Sequence, residues 1–355
     1  MRQVFFKNVT QLKSILAKRK FLLVNCGSFR YTGLDKFFDA YDYVDFSDFT
    51  PNPLYEQVCA GVELFKKENC ELIVAIGGGS AIDVAKCIKL YCKMPPEENY
   101  LKQSPVCSDV ELVAIPTTAG TGSESTKHAV IYFAGEKQSI SHPEIIPNYV
   151  VLDASSLKSL PVYQKKCTMM DALCQAIESY WAVKSNKESK GYSVKAICAI
   201  KENWEKYIFE NSEIAASKIM QAANYSGRAI NITATTAAHA MSYKITSLYG
   251  FPHGHAVAVC LGQVWDYMLK NTKNCSDPRG FKYLENTLSE IENIITPDYF
   301  NSMLDKLELA FPISTKKEEE LKLLALSVNP VRLGNNPVAL DVETLKDMYK
   351  RIVLE

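Results

Sequence analysis

Short apolar runs alternate with segments of helical spacing through the first half of this chain, and this alternation restricts its fold most. FLLVN (21–25), ELIVAI (71–76) and ELVAIP (111–116) are strand candidates, and residues 54–69 and 81–92 have helical periodicity. Strands that alternate with helices form parallel sheets, because each helix returns the chain to the same end of the sheet. We therefore predict a doubly wound α/β fold for this half.

The sequence pattern changes after residue 160. AVIYF (129–133) and YVVLD (149–153) add two more strand candidates to the sheet, and HPEIIPN between them is a predicted loop. From residue 162 to residue 350 the chain has helical periodicity and few strand signals. We predict an α/β domain at residues 1–160 and an all-α domain at residues 161–355.

The charge and composition of the chain argue against several classes of protein. Lysine plus arginine and aspartate plus glutamate number 40 each, so there is no basic field of the kind that binds nucleic acid. No stretch approaches the roughly 18 apolar residues of a membrane-spanning helix, and the amino terminus does not resemble a signal peptide. Eleven cysteines without a C-x-x-C pair favour reduced thiols. These features predict a soluble, cytoplasmic protein that binds neither nucleic acid nor membranes.

Three consecutive glycines follow one predicted strand and open a helix, in IVAIGGGSAIDVAK (73–86). Glycine lets backbone amides approach a ligand, and the positive end of a helix favours an anion such as a dinucleotide pyrophosphate. The same glycines also suit a tight turn that binds nothing, and the segment matches neither the P-loop nor the G-x-G-x-x-G fingerprint. A second turn, AIPTTAGTGSEST (114–126), follows the next strand, and open α/β sheets bind ligands at such strand ends. The candidate dinucleotide-binding residues in the two turns are Gly77, Gly78, Gly79, Ser80, Asp83, Thr117, Thr118, Gly120 and Ser123.

The segment DALCQAIESYW (171–181) contains neither glycine nor proline and is predicted to be helical. Asp171 and Gln175 lie four residues apart, so their side chains are on one face, one turn above the other. Both carry oxygens that can meet a cation. The pair by itself also fits a polar face directed at solvent.

GGGSAIDVAK together with IPTTAGTGSE resembles the iron-containing (group III) alcohol dehydrogenases, which are related to glycerol dehydrogenase and dehydroquinate synthase. The resemblance covers nearly the whole chain. It implies a dehydroquinate synthase-like fold, in which a nucleotide-binding domain packs on a helical domain and the cleft holds NAD(P) and one divalent metal.

The resemblance also implies a set of metal ligands, namely an aspartate, a residue one turn later and two histidines fourteen residues apart. These positions fall on Asp171, Gln175, His239 and His253 in this sequence. Gln175 departs from the family pattern, which has histidine there. An aspartate with two imidazoles suits Fe²⁺ or Zn²⁺, whereas Gln175 would either coordinate weakly or turn away, and a site that has lost tight metal binding is the remaining alternative.

By the same resemblance, the reaction is reversible hydride transfer between a nicotinamide cofactor and an aldehyde or primary alcohol. Tyr243 and His255 are the candidate residues for the proton transfer, with bound water as the alternative. The family often has an aspartate that contacts the adenosine ribose where this chain has Cys26. Without that carboxylate, and with Ser28 and Arg30 nearby, the chain is expected to favour NADP(H) over NAD(H).

Gln175, the HGHAV turn and the segment VNPVRLGNNPVAL resemble the branch of the family that contains phosphonoacetaldehyde reductases. This implies a small anionic aldehyde as substrate, and the resemblance to the family also implies a homodimer. The alternatives are a glycerol dehydrogenase-like or dehydroquinate synthase-like enzyme, or a metal-poor relative that binds NAD(P) without catalysis. The basic residues that can meet the anion are Lys127, Lys137, Lys244 and Arg332.

Overall fold

The computed structural model describes residues 3–309 and 318–354. The chain divides into two compact units, Met1–Leu160 with Asn211–Asn224 and Pro161–Glu210 with Tyr225–Glu355. The sequence analysis assigned Asn211–Asn224 to the helical half, yet this segment groups with the first unit. That the two halves are separate folding domains stays a prediction.

The first unit contains a six-stranded sheet with the strand order β1-β8-β5-β4-β2-β3. Each neighbouring pair in this sheet is parallel, and α-helices lie between consecutive strands from β1 to β5, so the predicted α/β class is confirmed. The strands of the unit are β1 (Val4–Phe6), β2 (Phe21–Asn25), β3 (Tyr43–Phe46), β4 (Leu72–Gly77), β5 (Glu111–Pro116), β6 (His128–Phe133), β7 (Glu136–Ser141) and β8 (Tyr149–Val151). The helices between these strands are α1 (Lys13–Leu16), α2 (Asp35–Phe38), α3 (Tyr55–Lys67) and α4 (Gly79–Tyr91).

The prediction that residues 129–133 form a strand of the main sheet is right about the strand but wrong about its partner. The strand at 129–133 does not join the main sheet but pairs with β7 as a separate antiparallel hairpin. Ala134 and Gly135 between these strands both have positive φ, which closes a two-residue turn of the hairpin type. The polar strand β7 and the short edge strands β1 and β3 were not expected, because none of them has a long apolar run.

The strand register brings the carboxyl ends of three strands side by side. Asn25 at the end of β2 is paired with Ile76, and Gly77 at the end of β4 is paired with Pro116 of β5. The segments that follow these strands therefore leave the sheet at the same edge, where open α/β sheets bind their ligands.

The second unit is helical, as predicted, and its central helix is α5 (Val162–Trp181). This helix is buried on nearly all sides over its second half, because it packs between α6 (Lys187–Phe209) and α9 (His253–Lys270). No helix in the described part of the chain is both long and apolar enough to span a membrane. The remaining helices among the described residues are α6 (Lys187–Phe209), α7 (Glu213–Thr233), α8 (Ala237–Tyr249), α9 (His253–Lys270), α10 (Phe281–Glu292), α11 (Pro297–Lys306), α12 (Glu318–Leu326), α13 (Pro330–Leu333) and α14 (Val342–Leu354).

Candidate metal and dinucleotide sites

A stripe of buried polar side chains runs along α5. Asp171, Gln175 and Glu178 lie at positions i, i+4 and i+7, which share one face of a helix, and none is more than 4% exposed. Buried polar groups are costly unless they are paired or bind a ligand, so each of these three side chains requires a partner.

The start of α9 lies directly against α5 because residue 254 is glycine. A Cβ at Gly254 would lie 2.0 Å from the carbonyl oxygen of Cys167 and 2.9 Å from the Cβ of Asp171. No other residue fits this close approach of the two helices. His253, the first residue of α9, is thereby held beside Asp171.

Asp171, His239 and His253 form a cluster in which one ligand atom of each residue lies within 4.8 Å of the others. The Nε2 atoms of His239 and His253 are 3.3 Å and 3.9 Å from Oδ1 of Asp171. Asp171 and His239 are buried, whereas the side chain of His253 is 36% exposed. The cluster is therefore closed on the α5 side and accessible at His253.

Hydrogen bonds orient both imidazoles of the cluster. The Ser242 hydroxyl donates to the carbonyl oxygen of His239 at 2.8 Å, so it accepts from Nδ1 of His253, which lies 3.3 Å away. Nδ1 of His239 donates to the buried carboxylate of Glu178. With their Nδ1 atoms used in this way, both rings direct Nε2 at Asp171.

The electrostatics of the cluster favour a positive charge. Burial opposes charge on His239, but the carboxylates of Glu178 and Asp171 outweigh it and raise the pKa of His239 to about 9. Burial likewise opposes charge on Asp171, but hydrogen bonding by His239 and the nearby His253 lower the pKa of its carboxyl. A carboxylate and two imidazole nitrogens that converge in this way are a donor set that fits Fe²⁺ or Zn²⁺.

The Gln175 side chain makes two hydrogen bonds within the helical unit. Its Oε1 accepts from the Ser226 hydroxyl at 2.9 Å, and the amide also bonds the Asp171 carboxylate. The amide oxygen thus already has a partner. That Gln175 is a fourth ligand stays a prediction.

Tyr243 and His255 differ in their relation to the cluster. The Tyr243 ring stacks on His253, with centroids 5.4 Å apart and planes at 4°, and the guanidinium carbon of Arg332 lies 5.2 Å from the centre of the Tyr243 ring. His255 instead donates from Nε2 to the carbonyl oxygen of Leu309 at 3.0 Å, and its Nδ1 lies 2.9 Å from the Tyr163 hydroxyl. Both ring nitrogens of His255 are therefore used in hydrogen bonds outside the cluster.

The predicted dinucleotide-binding residues gather at the common edge of the sheet in the first unit. Thr117 donates its backbone N–H to the carbonyl oxygen of Gly77 at 2.9 Å, and a Cβ at Gly79 would meet the Thr121 side chain at 3.0 Å. A Cβ at Gly77 would be 3.2 Å from the sulfur of Cys26. The glycine turn, the threonine turn and Cys26 thus lie together, and the first turn of α4 offers backbone N–H groups without helical acceptors. This arrangement fits a dinucleotide pyrophosphate.

Two of the predicted cofactor residues bind each other. Asp83 accepts hydrogen bonds from the Ser123 hydroxyl at 2.6 Å and from the backbone N–H of Val130 at 2.9 Å. The fully buried Lys86, one turn after Asp83, donates to the Ser123 and Thr126 hydroxyls and to the carbonyl oxygen of His128. These bonds attach the threonine turn to α4, so Asp83 and Ser123 position the turn.

Sequence reasoning missed three residues at these sites. Glu178 could have been found as the i+7 partner of Asp171, and Lys86 as the i+3 partner of Asp83 on α4. Asp45, whose carboxylate accepts from the Asn25 amide at 2.6 Å, gave no such signal because β3 was not expected. It places a carboxylate one strand away from Cys26.

Two family models match the chain. "Iron-containing alcohol dehydrogenase" matches residues 2–154, and "Fe-containing alcohol dehydrogenase family, C-terminal" matches residues 166–353.

Phosphonoacetaldehyde reductase of Streptomyces viridochromogenes is 30% identical over 308 residues, which are 82% of this chain and 78% of that protein. Probable alcohol dehydrogenase EutG of Escherichia coli is 32% identical over 220 residues, which are 61% of this chain and 56% of that protein. The crystal structure of sulfoacetaldehyde reductase from Bifidobacterium kashiwanohense in complex with NAD⁺ is similar with a TM-score of 0.87 and 25% identity, covering 100% of this chain and 97% of that one.

Proposed function

Because the chain belongs to the iron-containing alcohol dehydrogenase family, we propose that it is a metal-dependent, NAD(P)-linked reductase of a small anionic aldehyde. The observation that carries this proposal is the convergence of Asp171, His239 and His253. The Nδ1 atoms of both histidines are engaged in other hydrogen bonds, so their Nε2 atoms face Asp171. Two similar proteins are named for aldehydes that carry a phosphonate or a sulfonate, and both of these groups are anions.

Asp171, His239 and His253 are the residues that would hold the metal. A divalent metal supplies a Lewis acid for the carbonyl oxygen of the aldehyde. The chain itself contributes a buried carboxylate and two oriented imidazoles, and the exposed side of His253 leaves a path for the aldehyde. Gln175 remains a candidate fourth ligand.

The turns after β2, β4 and β5 are proposed to bind the dinucleotide, with the pyrophosphate at the first turn of α4. NAD(P)H supplies the hydride for the carbonyl carbon. At the ribose, Cys26 offers no carboxylate to repel a 2′-phosphate, which supports NADP(H). The carboxylate of Asp45 lies one strand away and supports NAD(H). Relative rates with NADPH and NADH decide between them.

We assign the proton that the alkoxide product requires to the Tyr243 hydroxyl. Its ring stacks on His253 beside the cluster, whereas both ring nitrogens of His255 are committed to Leu309 and Tyr163. His255 then acts as a neutral residue that fixes the start of α9.

The anionic group of the aldehyde is proposed to bind Arg332. Its guanidinium lies over the Tyr243 ring, which stacks on His253, and one of its N–H groups is anchored by the Thr235 hydroxyl at 2.6 Å. A guanidinium has five N–H donors, so an anchored arginine can still make a bidentate pair with a phosphonate or sulfonate.

The test is nicotinamide oxidation by protein that has been stripped of metal and resupplied with Fe²⁺ or Zn²⁺. The substrates are phosphonoacetaldehyde, sulfoacetaldehyde and propanal, which has no charge. We expect metal-dependent oxidation that is fastest with an anionic aldehyde. Arg332→Leu should lower kcat/KM for that aldehyde by about 10- to 100-fold, the value of a charge-assisted hydrogen bond, and leave propanal unchanged.

Arg351→Leu, which removes an exposed arginine from α14, is the matched control and should change neither substrate. Equal losses for charged and neutral aldehydes in Arg332→Leu would contradict recognition of the anion. Tight dinucleotide binding without oxidation of any aldehyde would instead favour a binding protein without reductase activity.

We also propose that the protein is located in the cytoplasm and forms a homodimer. All eleven cysteines are free thiols, which suits a reducing compartment. Fractionation of cells and the mass of the protein in solution test these two statements.

A further inference from the structure

Glu178 is a fully buried carboxylate on α5 that none of the family's ligand positions includes. It is 0% exposed and lies seven residues after Asp171, on the same helix face. An ion of this kind is stable in a protein interior only when several donors surround it. Its two oxygens have different partners, and these partners indicate what the residue does.

One oxygen of Glu178 caps the start of α8. Oε1 accepts from the backbone N–H groups of Thr236, Ala238 and His239 at 3.2, 2.9 and 3.3 Å, and from the Thr236 hydroxyl at 2.7 Å. Thr236 precedes the helix but makes no capping bond to it with its own side chain. Glu178 therefore supplies, from another helix, the acceptor that the free amides of α8 need.

The other oxygen of Glu178 fixes the state of the His239 ring. A carboxylate only accepts hydrogen bonds, so Nδ1 of His239 carries the hydrogen in its contact with Oε2. The other ring nitrogen, Nε2, faces Oδ1 of Asp171 at 3.3 Å, and its lone pair becomes available to a metal ion that displaces the Nε2 proton. Carboxylates that hold the outer nitrogen of a ligating histidine raise metal affinity in this way.

We propose that Glu178 is a positioning residue that joins the cap of α8 to the metal-binding tautomer of His239. The inference rests on the proposed metal site. One carboxylate sets both the position of His239, through its backbone N–H, and the direction of its ring, through Nδ1. The affinity for a divalent metal therefore depends on a residue that does not coordinate it.

The variant Glu178→Gln separates the two roles. The amide oxygen can still accept from the α8 amides, whereas the amide nitrogen replaces Oε2 and donates to Nδ1. The hydrogen of His239 must then move to Nε2, and that nitrogen can no longer coordinate. We expect the dissociation constant for Zn²⁺ to rise by about 10- to 100-fold.

Zn²⁺ affinity is measured by competition with a chromogenic chelator, and the His239 tautomer by nitrogen NMR of protein labelled at its five histidines. In wild type with Zn²⁺ we expect hydrogen on Nδ1 of His239, and in Glu178→Gln hydrogen on Nε2. Thr236→Ala is the matched control, because it weakens the capping network without touching Nδ1. It should lower the denaturant midpoint, because the cap of α8 is weakened, but leave the dissociation constant for Zn²⁺ close to the wild-type value.

The inference would be overturned if Glu178→Gln bound Zn²⁺ as tightly as wild type and kept the hydrogen on Nδ1 of His239. It would also be overturned if Thr236→Ala lost as much Zn²⁺ affinity as Glu178→Gln. If Glu178→Gln does not fold, Glu178→Asp keeps the charge but withdraws the carboxylate by one methylene. It should weaken Zn²⁺ binding, and unchanged affinity would again overturn the inference. Absence of Zn²⁺ and Fe²⁺ binding by wild type would refute the metal site itself, and the proposed function with it.

Discussion

Replacing Gly254 by alanine should damage both the packing of α9 and the metal site. The added Cβ would lie 2.0 Å from the carbonyl oxygen of Cys167, and ordinary contact begins at 3.4 Å. The obstacle is the backbone of α5, which cannot rotate away as a side chain can. The start of α9 must therefore move, and overpacking of this kind costs about 1–3 kcal/mol.

The same movement would separate His253 from Asp171. Their ligand atoms are 3.9 Å apart, so a shift large enough to relieve the clash is a substantial fraction of the distance across the cluster. We expect Gly254→Ala to lower the free energy of unfolding by about 2 kcal/mol and to weaken Zn²⁺ binding by at least about tenfold. Urea unfolding of the metal-free protein and chelator competition measure the two effects.

Gly191→Ala is the matched control for this prediction. Gly191 lies inside α6, where an added Cβ meets nothing within 4 Å, so the substitution should stabilise the helix by about 0.5–1 kcal/mol. If Gly254→Ala were as stable as wild type and bound Zn²⁺ equally well, close packing of α9 on α5 would not be what positions His253.

Three further predictions concern the dinucleotide turns and the metal. Burial lowers the pKa of Lys86 to about 8, against an ordinary value of 10.5, so the native state releases this proton at lower pH than the unfolded chain. The free energy of unfolding of wild type should therefore rise relative to that of Lys86→Met by about 1.4 kcal/mol per pH unit between about pH 8 and pH 10.5. Unfolding of both proteins at about pH 7 and about pH 9.5 measures this difference. Cys26→Asp should shift the ratio of kcat/KM for NADH over NADPH upward by at least about tenfold, because a carboxylate repels the 2′-phosphate, and Cys26→Ser should not. Removal of divalent metal by a chelator should abolish aldehyde reduction but leave dinucleotide binding, measured by cofactor fluorescence, intact; persistent reduction would argue against the metal site.

Local sequence determined the family, the fold class and the enzyme class, and these predictions are confirmed. The alternation of apolar runs and helical segments is a property of neighbouring residues, so the strands at 21–25 and 111–116 could be predicted to the residue. The separate hairpin could not, because the choice of partner for residues 129–133 depends on positive φ at Ala134 and Gly135, and only one of these residues is a glycine.

Tertiary structure alone decided how the site residues are arranged. Asp171 is far along the chain from His239 and His253, and the sequence pointed to all three only through the resemblance, whose ligand pattern includes the fourteen-residue spacing of the two histidines. Which nitrogen of His239 faces Asp171 depends on Glu178, and the approach of His253 depends on the missing side chain of Gly254. Such relations arise from the packing of α5, α8 and α9, and packing between distant segments leaves no local pattern in a single sequence.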